Sequence, residues 1–421
     1  MTGTGLQQPG VRRWRLAVLF AGLVALALKL TIAAHTWGTT DVFLWKSFAD
    51  SVRVNGPVGI YGQHFDLVYN HAPLSGWMLM VINAMTDHSG LSFPFLIRVP
   101  ASLADVATGL LVFEFVRRRR SLREAATAAS LTVLSPILII VSGFHGNTDP
   151  VFVMLAILSA YLLAVQGQAV LGGMAFGLAL SVKLVPVVVV PTLLVLLLRA
   201  GRRSAARYLA GVAAVMLPLW LPVVLTRWTE FNRDVLGYAG VPLRQWGLVQ
   251  AFRWLGLSPN LELMMVGHGR FLILAVCGLL PAALAWRRRD AVGPALGLAF
   301  VLFLLLTPAF GMQYLSWAVA AAYLVNTWTA SAYNLFGSVF AVTVYDNWNN
   351  ALPWHWNVAG GQAFQTKDLL LEVPVWLSLA AVALAGLMLF RPRARRPRLT
   401  RTDPGPTGRD AELAMTGTDV P

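Results

Sequence analysis

Apolar stretches long enough to cross a bilayer recur along this 421-residue chain from about residue 16 to residue 391. Lipid offers no hydrogen-bond partner to the backbone, so a crossing segment has to satisfy its own N–H and C=O groups as a helix. Each crossing takes about 20 residues. The candidate spans are 16–34, 93–116, 122–142, 150–166, 169–183, 184–199, 208–226, 269–286, 292–307, 312–327, 330–345 and 373–391. We therefore predict an all-α, polytopic membrane protein with about twelve transmembrane helices.

The composition agrees with this class. Hydrophobic residues make up 57% of the chain and charged residues 12%, whereas charged residues are about 25% of a soluble domain. The net charge of +14 does not indicate nucleic-acid binding, because the cations lie in short runs between apolar spans and not on a solvated domain. Cys277 is the only cysteine, which excludes an internal disulfide and a cysteine metal cluster.

The arginines orient the spans. With a cytoplasmic N-terminus, the basic runs 12–15, 117–123, 199–207, 287–289 and 391–401 all fall on one side, and most loop aspartates fall on the other. This positive-inside pattern predicts a multi-pass protein with both termini in the cytoplasm. We expect it in the plasma (inner) membrane. The run Pro73–Met85 is apolar but too short to span. We expect it to lie in the interface as part of the first outer loop.

We predict one integral membrane domain, residues 1–391. The remainder, 392–421, carries prolines among polar residues and is expected to be a disordered cytoplasmic tail. Three outer segments, 35–92, 227–268 and 346–372, are too long to be mere turns. Long loops on a rigid scaffold usually carry function, so we expect the functional site on the outer face of the membrane.

Asp41 ends the sequence Trp-Gly-Thr-Thr-Asp just beyond the first span and opens the first outer loop. A carboxylate there is suited to chemistry at a membrane surface. Lys183 lies in Ser-Val-Lys-Leu-Val-Pro, which breaks an apolar stretch into two short helices. Its ammonium group is a candidate phosphate partner, and the alternative is a lysine that snorkels from a helix end.

Further ionisable and polar residues lie in or beside the spans. Arg98 and Asp105 are seven residues apart on a similar helical face, and they either line a polar cavity or pair with neighbouring helices. Asp149 before Pro150 indicates a turn or a helix N-cap. With His145 and Asn147 it also forms a polar cluster suited to a sugar or a phosphate.

The sequence gives less support for a metal site than for the polar cluster described above. All seven histidines fall on the outer side in this topology, but no HExxH or similar ligand spacing is present. Outer loops are also where polar residues are tolerated. We expect no cofactor, and a divalent metal is possible but not indicated.

The order of these motifs resembles the GT-C superfamily of membrane glycosyltransferases. Within about residues 16–330, it is most similar to the actinobacterial polyprenyl-phosphate-mannose-dependent mannosyltransferases. The residues that carry the resemblance are Asp41, Gly56, Tyr61, Tyr69, Pro73, Arg98 to Asp105, Gly146-Asn147-Thr148-Asp149, Lys183 with Pro186 and Pro191, and Gln313-Tyr314-Leu315-Ser316-Trp317.

The resemblance implies a GT-C-like fold, a catalytic acid in the first outer loop and a polyprenyl-phosphate sugar as donor. Asp41 would then be the general base. The family often has paired prolines after a tyrosine, where this chain has Tyr69-Asn70-His71-Ala72-Pro73. The role of His71 is therefore open.

The chemistry agrees with one catalytic carboxylate. A departing phosphate is a stable anion that needs only cations to stabilise its charge, and one carboxylate can deprotonate the acceptor in an inverting displacement. A glycosidase generally needs two carboxylates. The expected substrate-binding residues are Lys183, Arg98, His71, His145, Asn147, Asp149, Tyr69 and Gln313. Arg227, Arg233 and Arg244 are further candidates for the phosphate clamp.

We expect transfer of a sugar, with mannose the first choice, to a lipid, glycan or protein acceptor on the outer face, and no nucleic-acid partner. The alternative is a multi-span transporter or flippase of a lipid-linked or small polar substrate. Transporters often show repeats and broken helices in matching halves, and here the halves do not match. A non-catalytic assembly scaffold is a third possibility, supported only by the spans.

The predicted topology can be tested by cysteine labelling in a Cys277→Ala background. Cysteines introduced at Ser121 and Thr407 should resist an impermeant thiol reagent in intact cells, because both sites are predicted to be cytoplasmic. A cysteine at Ser51 should react. Labelling at Ser121 from outside the cell would overturn the orientation.

Overall fold

The computed structural model describes residues 9–238, 246–348 and 366–391. Regular structure in these ranges is helical. The α-helices are α1 (Pro9–His35), α2 (Thr40–Gly59), α3 (Pro73–Ser89), α4 (Phe93–Leu96), α5 (Val99–Val116), α6 (Leu122–Val133), α7 (Pro136–Ile140), α8 (Asp149–Ala164), α9 (Ala169–Val182), α10 (Val190–Ala200), α11 (Arg202–Thr226), α12 (Trp228–Phe231), α13 (Gly247–Trp254), α14 (Pro259–Met264), α15 (Arg270–Arg287), α16 (Val292–Leu306), α17 (Leu315–Val325), α18 (Thr327–Trp348) and α19 (Thr366–Met388). Short 3₁₀ and π turns extend or join several of them. The predicted tail 392–421 and Arg244 lie outside the described residues.

The predicted all-α, polytopic membrane fold is confirmed. Seven helical segments are long and apolar enough to cross a membrane: Gly10–His35, Phe93–Val116, Leu122–His145, Arg202–Thr226, Gly267–Arg287, Arg289–Leu306 and Leu370–Met388. Four shorter apolar helices are Asp149–Ala164, Ala169–Val182, Val185–Ala200 and Met312–Val325. Each of these eleven segments corresponds to a predicted span. The twelfth, 330–345, lies within α18, so the number of crossings stays a prediction.

The first outer loop, predicted as 35–92, is largely helical. On α2, Val42, Trp45, Ala49 and Val52 are buried at the three- and four-residue spacing of one helix face. The short apolar run that begins at Pro73 forms the 17-residue helix α3, which packs against α2. Together with α4, the loop between α2 and α3, the end of α11 and the segment that follows it, these helices build an apolar cluster separate from the main core. We call residues 40–97 the outer lobe, after the predicted orientation.

Several helices present apolar side chains outward. Phe20 on α1 is 70% exposed, Leu225 on α11 is 72% exposed and Leu272 on α15 is 68% exposed. Extended apolar surfaces of this kind mark contact with a partner or a membrane. In this protein they lie on three of the helices long enough to span, which is the arrangement that lipid contact requires.

The basic turns meet at one end of the bundle. Glu114 accepts hydrogen bonds from Arg15 on α1 at 2.7 Å and from Arg117 at 2.8 Å. Arg288, after α15, donates to the carbonyl oxygen of Leu389, after α19, at 3.1 Å. The length of α5, about 27 Å at 1.5 Å per residue, separates this end from Arg98. The grouping agrees with the arginine asymmetry, and the assignment of this end to the cytoplasm stays a prediction.

A buried ion pair links α1 to α5 inside the bundle. Lys29 Nζ lies 2.5 Å from Asp105 Oδ2, and both side chains are almost fully buried. Ser142 Oγ donates to the same carboxylate oxygen at 2.6 Å, which attaches the π turn Val141–His145. Removing one partner of such a pair leaves an uncompensated buried charge and costs about 3–5 kcal/mol. Of the two alternatives for Asp105, the structure shows pairing with a neighbouring helix.

Small residues bring α9 and α11 into close contact. A Cβ atom on Gly173 would lie 2.0 Å from the carbonyl oxygen of Tyr208, and one on Gly211 would lie 2.2 Å from that of Val170. Backbones approach this closely in membranes through small residues at helix interfaces. The contact positions α9, and Lys183 follows directly at its C-terminal end.

Candidate active site

Asp41 lies in the first turn of α2. The chain leaves α1 and passes Gly38 at φ 103°, and Thr39 then caps α2 by accepting a hydrogen bond from the Asp41 N–H at 3.3 Å. A carboxylate in the first turn is stabilised by the helix dipole. The Asp41 side chain is 33% exposed, so it remains open to a substrate.

His145 joins Asp41 to the main bundle. Its Nε2 lies 2.8 Å from Asp41 Oδ2, and its Nδ1 lies 2.8 Å from the Tyr345 hydroxyl. Its carbonyl oxygen accepts from Thr39 Oγ1 at 2.9 Å. His145 ends the π turn, and Gly146 follows in the left-handed region at φ 82°. π turns are uncommon and often occur at functional sites.

Lys183 occupies the predicted break. The helix α9 ends at Val182, Lys183 is extended at φ −159°, and a 3₁₀ turn, Val185–Val189, follows. The ammonium group lies 2.8 Å from Asp149 Oδ1. It also stands 5.2 Å from the ring centroid of Tyr314 and 5.7 Å from that of Trp317, distances typical of cation–π contacts.

Asp149 is fully buried behind Lys183. Its second carboxylate oxygen accepts from the Trp317 indole N–H at 2.7 Å, and its own N–H donates to Asn147 Oδ1 at 2.8 Å. Thr148 occupies the cap position and Asp149 is the first residue of α8. Of the two expectations for Asp149, a turn or a helix N-cap, the N-cap is off by one position, since Asp149 follows the cap residue.

A cavity of about 370 Å³ gathers most of the predicted site residues. Its polar lining consists of Asp41, Asn70, His71, His145, Asn147, Lys183 and Gln313. Aromatic side chains from the outer lobe and from around α17 line it as well, among them Trp45, Phe48, Phe310 and Tyr314. The cavity therefore combines one acid, one lysine, neutral amides and aromatic faces.

A second cavity of about 540 Å³ adjoins the first. The two share Asn70, Lys183, Tyr238 and Tyr314. The rest of the second lining is mainly apolar: Leu180, Leu184, Val185, Val187, Trp220, Val235, Leu236, Leu274, Phe303, Thr307, Ala309 and Trp317. Lys183 consequently stands where a polar cavity meets an apolar one.

The local charges hold Asp41 ionised and His71 neutral. Burial raises the pKa of Asp41, but its interactions with His145, including a hydrogen bond, and with the charge of Lys183 outweigh this effect, so the pKa is lowered overall. Desolvation and the charge of Lys183 lower the pKa of His71 to about 3, against the opposing effect of Asp41. At neutral pH the cavity therefore holds an ionised acid beside a neutral imidazole.

Three predicted binding residues, Tyr69, Arg98 and Asp149, do not line the polar cavity. Tyr69 is buried in the outer lobe, with its ring centroid 5.3 Å from that of His71. Arg98 is fully buried, and its guanidinium donates to the carbonyl oxygens of Ala33, Thr36, Trp37 and Gly143. Asp149 reaches the cavity only through Lys183 and Asn147.

The other candidate arginines also lie apart from the cavity. Arg227 packs beside Gly62, where an added Cβ would come within 2.8 Å of its guanidinium. Arg233 is exposed and pairs with Asp234 at 2.7 Å. Arg244 is outside the described ranges. Among the described residues that line the polar cavity, the cationic side chain is that of Lys183, and no arginine contributes to the lining.

The side chains of the cavity supply acid, cation and amide groups. No group of three or more His, Cys, Asp or Glu side chains within the described ranges is arranged to hold a metal ion. Asp41 offers an ionised carboxylate, Lys183 an ammonium group, and Asn147 and Gln313 neutral amides. Together these groups can accept a proton, bind an anion and form hydrogen bonds with hydroxyl groups.

Two contributors to the site, Tyr345 and Asn70, and one buried residue of the surrounding bundle, Lys29, were not predicted from the sequence. Tyr345, at the end of a predicted span, supports His145, and nothing in its spacing indicates this contact. Lys29 lies inside the first span, where an ionisable residue by itself signals a buried partner or a function. Asn70 is adjacent to the predicted residue His71 and lines both cavities.

Residues 70–228 match the family model described as dolichyl-phosphate-mannose-protein mannosyltransferase. This match covers less than half of the chain, and it supports the resemblance to the GT-C superfamily. It includes His71, His145, Asp149 and Lys183 but not Asp41. A comparison with curated proteins finds no match.

The lowered pKa of His71 predicts a pH dependence of stability. In the unfolded chain His71 binds a proton near pH 6.5, whereas in the folded protein it does so only near pH 3. Protonation of His71 therefore favours the unfolded state, and the free energy of unfolding falls as the pH is lowered below 6.5. His71→Gln removes this titration. As the pH is lowered from about 7 to about 5, the free energy of unfolding should fall in both proteins, and the fall should be up to about 2 kcal/mol smaller in the variant than in the parent. Unfolding in detergent measures this difference. Parallel losses in the two proteins would contradict the prediction.

Proposed function

We propose that this protein is an inverting glycosyltransferase that moves a sugar from a polyprenyl-phosphate donor to an acceptor hydroxyl on the outer face of the plasma membrane. Mannose is the sugar that the family match favours. Asp41 is the general base, and Lys183 is the cation that binds the donor phosphate. The proposal needs no cofactor.

The position of Lys183 between two cavities carries the proposal. A polyprenyl-phosphate sugar is apolar at one end, anionic at the centre and rich in hydroxyl groups at the other end. The apolar cavity, Lys183 and the polar cavity offer matching environments in the same order. With its phosphate at Lys183, the donor would place its lipid among Leu180, Val187 and Phe303 and its sugar toward Asp41.

The sugar would meet neutral polar groups and aromatic faces. Asn70, Asn147 and Gln313 provide amide donors and acceptors for hydroxyl groups. Trp45 and Tyr314 line the same cavity. A volume of about 370 Å³ lies within the range of small-molecule sites.

In the proposed reaction, the acceptor oxygen attacks the anomeric carbon from the face opposite the phosphate. The new C–O bond forms as the bond between the anomeric carbon and the phosphate oxygen breaks, and its electron pair leaves with polyprenyl phosphate. The acceptor proton passes to Asp41. Lys183 stabilises the charge that develops on the phosphate.

Exposure distinguishes Asp41 from Asp149 as the base. Asp149 has no exposed side-chain surface, and its two carboxylate oxygens are bound by Lys183 and Trp317. Asp41 is 33% exposed, lines the polar cavity and binds His145 through one oxygen. Asp41 can therefore reach an acceptor hydroxyl, whereas Asp149 is suited to hold Lys183.

The proposal is tested by incubating the purified protein with a panel of polyprenyl-phosphate sugars and following release of polyprenyl phosphate in the presence of candidate lipid, glycan and peptide acceptors. Asp41→Asn should abolish transfer while leaving the protein folded, because the amide keeps the shape but cannot take the proton. Transfer by folded Asp41→Asn at near the parent rate would exclude Asp41 as the base. Absence of transfer from every donor, with movement of a lipid-linked sugar across vesicles, would instead support the flippase alternative.

Substitution of Lys183 tests the phosphate site. Lys183→Met should raise the apparent donor requirement and lower the maximal rate, because charge builds on the leaving phosphate. Lys183→Arg should recover only part of both, since a planar guanidinium does not reproduce a compact ammonium group. If Lys183→Met leaves donor affinity and maximal rate unchanged, the lysine does not meet the phosphate.

A further inference from the structure

Both ring nitrogens of His145 are bound inside the protein. Its side chain is 6% exposed, with Nε2 at 2.8 Å from Asp41 and Nδ1 at 2.8 Å from the Tyr345 hydroxyl. An ionised carboxylate can only accept, so Nε2 carries a hydrogen. In the neutral ring, Nδ1 then accepts from the Tyr345 hydroxyl. His145 thus lines the cavity without a free nitrogen for a substrate.

The contacts form a chain that ends at Asp41. Tyr345 on α18 is fully buried and holds the imidazole, and the imidazole holds one oxygen of Asp41. The Thr39 hydroxyl makes a second link between α2 and the π turn, because it caps α2 by accepting from the Asp41 N–H and donates to the His145 carbonyl oxygen. Gly146 keeps this link short, since a Cβ there would lie 2.4 Å from Val42. The orientation of the carboxylate is therefore set from the main bundle.

We infer that His145, supported by Tyr345, is a positioning residue that orients the Asp41 carboxylate and directs its second oxygen toward the acceptor hydroxyl. The inference rests on the proposed function. A carboxylate on a short side chain at an open cavity rotates unless one oxygen is held. Misplacement of a reacting group by about 1 Å can cost on the order of 100-fold in rate, so the hydrogen bond should act on the maximal rate and leave donor binding intact.

The inference predicts a pattern across four variants. His145→Ala should lower kcat on the order of 10- to 100-fold and leave the donor KM within about twofold, because Lys183 is untouched. His145→Gln should recover much of the loss, since its terminal amide can donate a hydrogen bond in place of Nε2–H. Tyr345→Phe should lower kcat by a smaller factor. Combined with His145→Ala, it should have less effect than in the parent, because the part of its contribution that passes through the imidazole is already lost.

The experiment measures kcat and donor KM for the full-length protein in detergent, with thermal unfolding as the check on folding. His88→Ala is the matched control, since His88 lies on α3 with its ring bonded to the Ala84 carbonyl oxygen, and its kcat should equal that of the parent. Equal kcat for the parent and His145→Ala, or additive losses from His145→Ala and Tyr345→Phe, would overturn the inference alone. No transfer by the parent from any donor would overturn the proposed function and the inference together.

Discussion

The arrangement of the site depends on where one buried guanidinium finds its hydrogen-bond partners. Arg98 binds carbonyl oxygens at the end of α1 and in the π turn that leads to His145. Terminal carbonyls of a helix need partners, and a buried charge needs them as well, so one side chain satisfies both requirements. Gly38 leaves room for it, because a Cβ there would lie 2.1 Å from the guanidinium. Asp41 follows three residues later.

Much of the fold could be predicted because hydrophobicity and helical length are properties of contiguous sequence. The same holds for the break at Lys183, which is marked by Pro186 within the 3₁₀ turn and by Pro191 just after it. Asp41 and Lys183 could be proposed because charged residues are costly at the edges of spans. The pattern could not show that α2 and α3 pack into a separate lobe, since this depends on which faces meet.

Partners distant in sequence could not be predicted. His145 and Tyr345 are 200 residues apart, and Lys29 and Asp105 are 76 apart, and neither separation follows from a helical period. Arg98 illustrates the same limit, because a buried arginine beside an outer loop suits a phosphate and a set of backbone carbonyls equally well. The distinction requires the geometry of the α1 terminus, which is a property of the folded bundle.

In the proposed reaction, the pairing of Lys183 with Asp149 has a consequence for turnover. A polyprenyl-phosphate sugar carries one negative charge, and the polyprenyl phosphate that remains after transfer can carry two. An unpaired lysine would attract this product more strongly than the donor and would slow its departure. Because the fully buried Asp149 offsets part of the ammonium charge, Lys183 would hold this product less tightly than an unpaired lysine. Under the same proposal, the ion pair that orients the lysine would thereby also limit product inhibition.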